Sequence, residues 1–280
     1  MRLNLFSFML ALALLQPVDG QSPKPPSSLR LYVIDCGRLK VDDPVRFDFK
    51  KQELATLDLS VGCYLIVHPK GTLMWDTGVV PDNTFPPGGG DGTKFYATVK
   101  TPLTKQLAQI GYTPSSIKYL ALSHYHWDHV ANASLFARST WLVSKPEYDT
   151  MFSIGIPQRT DAGMFRPLRN TKTVFLPDTD YDVFSDGSVV IKPTPGHTPG
   201  HRVLFLKLAK TGPVVLSGDL YHYPEELKVD RVMVSDFNPD LTKASRVALQ
   251  AFLKQSGAQL WIQHDLASFQ KLKKVPEYYE

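Results

Sequence analysis

Three imidazoles and a carboxylate crowd into His124-Tyr125-His126-Trp127-Asp128-His129, directly behind the apolar, strand-like run Ile117 to Leu122. Neutral imidazole nitrogen and carboxylate oxygen are the donors that Zn²⁺ and its neighbours accept. A short loop can aim alternate side chains at one ion and the next pair at another, so this segment reads as half of a binuclear metal site. The chain has eight histidines, and three within six positions argue against a polar turn that carries them by coincidence.

Composition sets the frame for that cluster. A chain of 280 residues with 43% hydrophobic content can bury a large core, and one catalytic domain over residues 21–280 is expected. The first twenty residues differ: Arg2, an apolar run from Leu3 to Leu15, then Val18-Asp19-Gly20 before Gln21. This is the pattern of a secretory signal peptide, too short for a membrane span, and it points to a periplasmic or secreted protein with no stable membrane insertion after cleavage; an N-terminal anchor that stays attached is the other reading. A formal net charge of +4, with no basic run longer than Lys273-Lys274, is no nucleic-acid footprint. Cys36 and Cys63 lie in β-like apolar runs; export permits a bridge between neighbouring strands, while two buried thiols are the expected state. Asn132-Ala133-Ser134 matches a glycosylation sequon but follows the metal cluster too closely to carry weight.

Strand runs at Leu29–Ile34, Gly62–Val67 and Thr72–Trp75, the last two joined by a His68-Pro69-Lys70-Gly71 turn, predict an early hairpin. His68 reads as exposed in that turn. A Pro/Gly/Asn/Asp tract from Pro81 to Gly92 predicts a surface loop, and Leu103, Leu107 and Ile110 predict a helix behind Pro102. Further strands are expected at Trp141–Val143, Thr173–Leu176, Val189–Ile191, Val203–Leu208, Val214–Leu216 and Leu260–Ile262. A helix whose buried face is Ala244, Val247, Ala248, Ala251 and Phe252 precedes the last of them. Many strands with helices interspersed in both halves predict an α/β protein, a four-layered αβ/βα sandwich of two mixed sheets flanked by helices.

The other site candidates each follow a strand. His197 sits in Thr194-Pro195-Gly196-His197-Thr198-Pro199-Gly200-His201, Asp219 in Ser217-Gly218-Asp219, and His264 in Gln263-His264-Asp265. Strand ends share a sheet rim, so all can converge there. The ordered set His124-x-His126-x-Asp128-His129, His197, Asp219 and His264 resembles the metallo-β-lactamase superfamily of hydrolases, and its spacing is similar to the acyl-homoserine lactonase branch. The resemblance implies two divalent ions, Zn²⁺ foremost with Mn, Fe and Co compatible. It places His124, His126 and His197 on one ion and Asp128, His129 and His264 on the other, with Asp219 bridging. It also implies that Asp76 lies beneath the metal loop, orienting a ligand histidine. A plain strand-end Asp is the other reading; His201 reads as structural.

Paired cations lower the pKa of a water held between them toward neutrality. A bridging hydroxide can then open a lactone without a protein nucleophile, and no G-x-S-x-G elbow is present to supply one. The candidate catalytic residues are Asp128, Asp219 and His222, the last of which reads equally as a rim histidine with no catalytic part. Where the lactonases carry a Tyr, three residues after the bridging Asp, this chain has His222, which resembles the organophosphate-cleaving methyl parathion hydrolases. An aryl-ester or phosphotriester hydrolase is therefore the alternative reading. A β-lactamase is disfavoured because the true enzymes lack the bridging Asp, and a non-catalytic metal-binding protein would have to lack a ligand. Phe85, Phe95, Tyr96, Met151, Phe152, Ile154, Ile156, Met164 and Phe165 form an apolar lid for an acyl chain or an aromatic ring, or else pack as core. The expected partner is a small-molecule substrate; nothing calls for a nucleic acid, and a homodimer is compatible.

Overall fold

The computed structural model describes residues 23–153 and 161–280. The signal-peptide segment and the lid residues Ile154 and Ile156 lie outside them. Thirteen described strands form two sheets. They are β1 Arg30–Leu39, β2 Leu59–His68, β3 Gly71–Trp75, β4 Gly92–Lys94, β5 Ala97–Val99, β6 Tyr119–Ala121, β7 Thr140–Ser144, β8 Thr173–Leu176, β9 Tyr181–Asp182, β10 Val189–Pro193, β11 Arg202–Leu208, β12 Gly212–Leu216 and β13 Gln259–Trp261. The first sheet runs β4-β5-β1-β2-β3-β6-β7-β8 and the second β13-β12-β11-β10-β9. The helices are α1 Leu103–Gln109, α2 Trp127–Val130, α3 Lys145–Met151, α4 Pro239–Ser256 and α5 Leu266–Lys271. No helix among the described residues is long and apolar enough to cross a membrane.

Period-two alternation divides the apolar side chains into three layers. Leu31 and Val33 of β1, Tyr64 and Ile66 of β2, and Leu73 and Trp75 of β3 face inward to meet Ile191, Leu204, Leu206, Val214 and Leu216 of the second sheet. Their neighbours Ile34, Cys36, Cys63, Leu65 and Met74 face outward, in one cluster with Leu103 and Leu107 of α1. Val203 and Val215 pack with Leu249, Phe252 and Leu253 of α4 on the far side. Three apolar layers between four layers of structure give the αβ/βα sandwich that the strand pattern predicts.

Several expectations need correction. Cys36 and Cys63 are disulfide-bonded, because Ile34 pairs with Cys63 across β1 and β2 and a bulge follows, which brings Cys36 alongside. Spacing along the sequence carries no information about that register. Reducing the bond, 27 residues across, is expected to cost about 3–4 kcal/mol; urea denaturation with and without dithiothreitol measures it, and coincident curves would contradict it. His68 is buried, stacked on Phe184 at 4.2 Å with its Nε2 2.8 Å from Asp186 Oδ2. The buried face of α4 is Thr242, Ser245, Arg246 and Leu249, while Val247 is 71% exposed and Ala244, Ala248 and Ala251 are exposed too. The helix buries polar groups that reach loop carbonyls and carboxylates, so hydrophobic spacing misplaces its face. Met151, Met164 and Phe165 are core, not lid. The Asn132 sequon, by contrast, is without weight as expected: the side chain is buried, its amide donates to the Thr77 and Val80 carbonyls, and it offers no attachment for a glycan.

Candidate metal centre

Parallel pairing of β3 with β6 and of β12 with β13 places their carboxyl ends at one rim. Asp76 follows β3, the 124–129 cluster follows β6, Asp219 follows β12 and His264 follows β13. His197 comes from the turn between β10 and β11, and Arg202 N–H donates to the Ser123 carbonyl at 2.9 Å, joining the two sheets beside the site. At Gly196 (φ 138°) a Cβ would lie 2.2 Å from Thr242 N. Only glycine allows that turn to approach α4 closely enough to present His197.

All seven predicted donors meet at this rim and are buried. His126 Nδ1 is 2.8 Å from His124 Nε2 and 3.0 Å from His197 Nε2. Asp219 Oδ2 lies 3.5 Å from His124 Nε2 and 3.3 Å from His197 Nε2. The same carboxylate turns its Oδ1 to His129 Nε2 at 2.9 Å and His264 Nε2 at 3.0 Å, with Asp128 Oδ2 3.9 and 3.7 Å from those nitrogens. Two four-residue sets therefore share Asp219.

This packing fits cations. His129 Nε2, His264 Nε2 and Asp219 Oδ1 are buried with no hydrogen-bond partner, although they lie about one hydrogen-bond length apart. Their lone pairs converge on a point rather than on each other's protons. Tetrahedral Zn–N bonds of about 2.0–2.1 Å set ligand atoms roughly 3.3 Å apart, close to the spacings seen. The two sets are positioned for a binuclear divalent-metal centre.

Supporting groups orient each donor. Asp76, fully buried at φ 58°, accepts from Ser123 N–H at 2.6 Å, Gln263 Nε2 at 2.9 Å and His129 Nδ1 at 2.9 Å, which leaves His129 Nε2 bare toward Asp219. The strand-end Asp is thus in contact with a site histidine. His197 Nδ1 meets Asp236 Oδ1 at 2.7 Å, and His264 Nδ1 donates to the Ser60 carbonyl at 2.7 Å. His201 Nε2 accepts the Asp219 N–H at 2.9 Å; burial, with His197 beside it, pulls its pKa down to about 3, so it is a neutral structural imidazole. Glu147 ties the two halves, accepting from Tyr125 N–H, Thr198 Oγ1 and Gly200 N–H. Burial nevertheless pushes its carboxyl up to about 7.

Asp236, Glu147 and Gln263 escape the sequence reading. Asp236 and Glu147 follow no strand in a metal-like pattern. Gln263 had a faint signal, its place between a strand end and His264, and it links Trp75, Asp76 and Gly218.

His222 borders the centre, 2% exposed, with Nε2 3.3 Å from Asp219 Oδ2 and Nδ1 3.5 Å from Glu226 Oε1. Burial opposes its protonation, but the Asp219 and Glu226 carboxylates outweigh burial and hold its pKa up at about 9. A cleft reaches His222, Asp128 and His264 past Leu39, Phe47, Tyr96 and Trp127. Of its lining, Tyr96 stands edge-on to Trp127 at 5.4 Å; Phe95, 72% exposed, meets Trp127 edge-on at 5.1 Å.

A family model described as Metallo-beta-lactamase superfamily matches residues 57–258. An N-acyl homoserine lactonase of Bacillus sp. is 28% identical over 262 residues, 89% of this chain and 98% of the relative. N-acyl homoserine lactonase AttM of Azorhizobium caulinodans is 29% identical over 272 residues, 91% of this chain and 100% of the relative. A solved N-acyl homoserine lactone hydrolase, with the product N-hexanoyl-L-homoserine at its catalytic metal center, superposes with a TM-score of 0.73 at 25% identity. That match covers 89% of this chain and 98% of the other.

Proposed function

The chain belongs to the metallo-beta-lactamase superfamily, and on that premise we propose that it opens the rings of acyl-homoserine-type lactones at a pair of zinc ions held by His124, His126, Asp128, His129, His197, Asp219 and His264. Asp219 carries this reading, since one carboxylate addresses both donor sets. The lactonases among its relatives support the substrate class, and the exposed Phe95 ring beside Trp127 offers an apolar surface at the rim.

Two divalent cations bound there supply hydroxide near neutral pH and polarise a carbonyl oxygen. The chain's own groups do the rest. His222 Nε2, buried without a hydrogen-bond partner and facing the centre, gives its proton to the ring oxygen as the ring C–O bond breaks, then takes one back from water. Asp128, which borders the cleft, accepts the proton released as the new C–O bond forms. Water adds across the ester and a hydroxy acid leaves.

Zinc-loaded protein is expected to open short- and long-chain acyl lactones, followed by proton release, and to lose turnover on chelation. No turnover on either chain length overturns the lactone reading. His222→Phe is expected to lower kcat about 100-fold with metal content unchanged; an unaltered kcat would assign His222 to the rim. An imidazole at this position also favours a second reading, aryl-ester or phosphotriester hydrolysis, and higher turnover on paraoxon than on lactones would select it.

Residues 1–20 act in this reading as an export signal and 21–280 as one domain, in the periplasm or outside the cell. The Cys36–Cys63 bridge supports an oxidising compartment. The partner is the small-molecule substrate, without nucleic acid, and a homodimer is compatible.

A further inference from the structure

A buried ion pair stands behind His222. Glu226 is 4% and Arg246 6% exposed, and Arg246 Nη2 donates to Glu226 Oε2. The guanidinium is itself fixed: Nε donates to the Leu220 carbonyl at 2.7 Å, Nη1 donates to the Arg231 carbonyl, and the group lies 4.5 Å from the Tyr221 ring centroid. The other Glu226 oxygen, Oε1, accepts the His222 backbone N–H at 3.3 Å and lies 3.5 Å from its Nδ1, a buried nitrogen with no other hydrogen-bond partner. The His222 ring is stacked parallel to His264 at 5.7 Å and tilted against Phe47 at 4.8 Å, so its plane is set by packing. Packing alone does not choose between the two ring nitrogens. A carboxylate does, because it accepts only from an N–H; Asp219 Oδ2, 3.3 Å from Nε2, belongs to the donor set of His124 and His197, which leaves Glu226 as the carboxylate dedicated to Nδ1.

We propose that Glu226, anchored by Arg246, is a positioning residue that accepts from His222 Nδ1–H and so turns Nε2, with the proton it delivers, to the reacting centre. This rests on the reading of His222 as the group that protonates the leaving oxygen. Burying two charges costs desolvation that an apolar pair would not. An oriented imidazole is what the pair provides in return. Lactone opening releases an alkoxide, which needs a proton more than a nitrophenolate does, so the arrangement suits alkyl lactones over activated aryl esters.

The test uses zinc-loaded protein with ¹⁵N-labelled histidine. His222→Phe identifies the His222 resonances. Glu226→Gln is expected to shift the His222 Nδ1 resonance from its N–H position toward a tautomer mixture. In the same variant kcat on lactones should fall about 10- to 100-fold, with KM within about twofold and two metal ions retained. If the lone Arg246 charge prevents folding, Glu226→Gln/Arg246→Met removes both charges and carries the same measurement. His222 resonances unmoved by the variant, or kcat within twofold of the parent, overturn the positioning role. If His222→Phe leaves lactone turnover intact while Glu226→Gln still shifts the tautomer, the catalytic reading of His222 has failed and the positioning of its ring stands.

Discussion

Asp219→Ala is expected to reduce turnover by at least about a thousandfold and to leave no more than one metal ion per chain. Its two oxygens face different donor sets, Oδ2 toward His124 and His197 and Oδ1 toward His129 and His264. Two dications a few ångströms apart repel by roughly 15 kcal/mol even at an effective dielectric of 20, so a shared anion is required to keep both. The fold should survive, because the three apolar layers do not include this side chain. The local backbone is also held independently, through Asp219 N–H to His201. Elemental analysis, kcat on a lactone and a thermal melt followed by circular dichroism check the three parts. His126→Ala is the graded comparison, removing a donor from one set only. Retention of two ions by Asp219→Ala would contradict the bridging geometry.

Much of this centre is legible in the sequence because its donors obey local rules. Strand ends share a rim, and the spacing within His124–His129 fixes which side chains leave a short loop together. Asp219 and His264 declare themselves by ending apolar runs. What holds these donors in place was not legible. Glu147 gathers contacts from Tyr125, Thr198 and Gly200 only after α3 has docked, and Asp236 reaches His197 from a loop with no pattern of its own. The same cause underlies the errors on α4 and the cysteines. Hydrophobic spacing assumes that the buried face is apolar, but Arg246 is buried because the Leu220 carbonyl and Glu226 satisfy it from another segment, and Thr242 because Asp236, just ahead of the helix, accepts from its hydroxyl. The Cys36–Cys63 bond depends on a strand register and a bulge, which long-range pairing decides.

Asp76→Asn probes that supporting layer with almost no change of shape. Asparagine tolerates the left-handed backbone that Asp76 adopts at φ 58°, so the turn itself is not strained by the exchange. The side chain, however, is a hub for donors alone: Ser123 N–H, Ser123 Oγ, Gln263 Nε2 and His129 Nδ1 all point at its oxygens. An amide NH₂ in either orientation faces another N–H. One buried donor is then left unpaired, at about 1–3 kcal/mol, or His129 moves its proton to Nε2. That second escape removes the lone pair that His129 offers beside Asp219. Affinity for the ion on the Asp128, His129 and His264 side should fall about 10- to 100-fold, while the His124, His126 and His197 side keeps its own. Zinc titration against a chromophoric chelator separates the two sites, and urea unfolding of the metal-free variant reads the structural cost. Parental affinity at both sites would mean that Asp76 does not set the His129 tautomer.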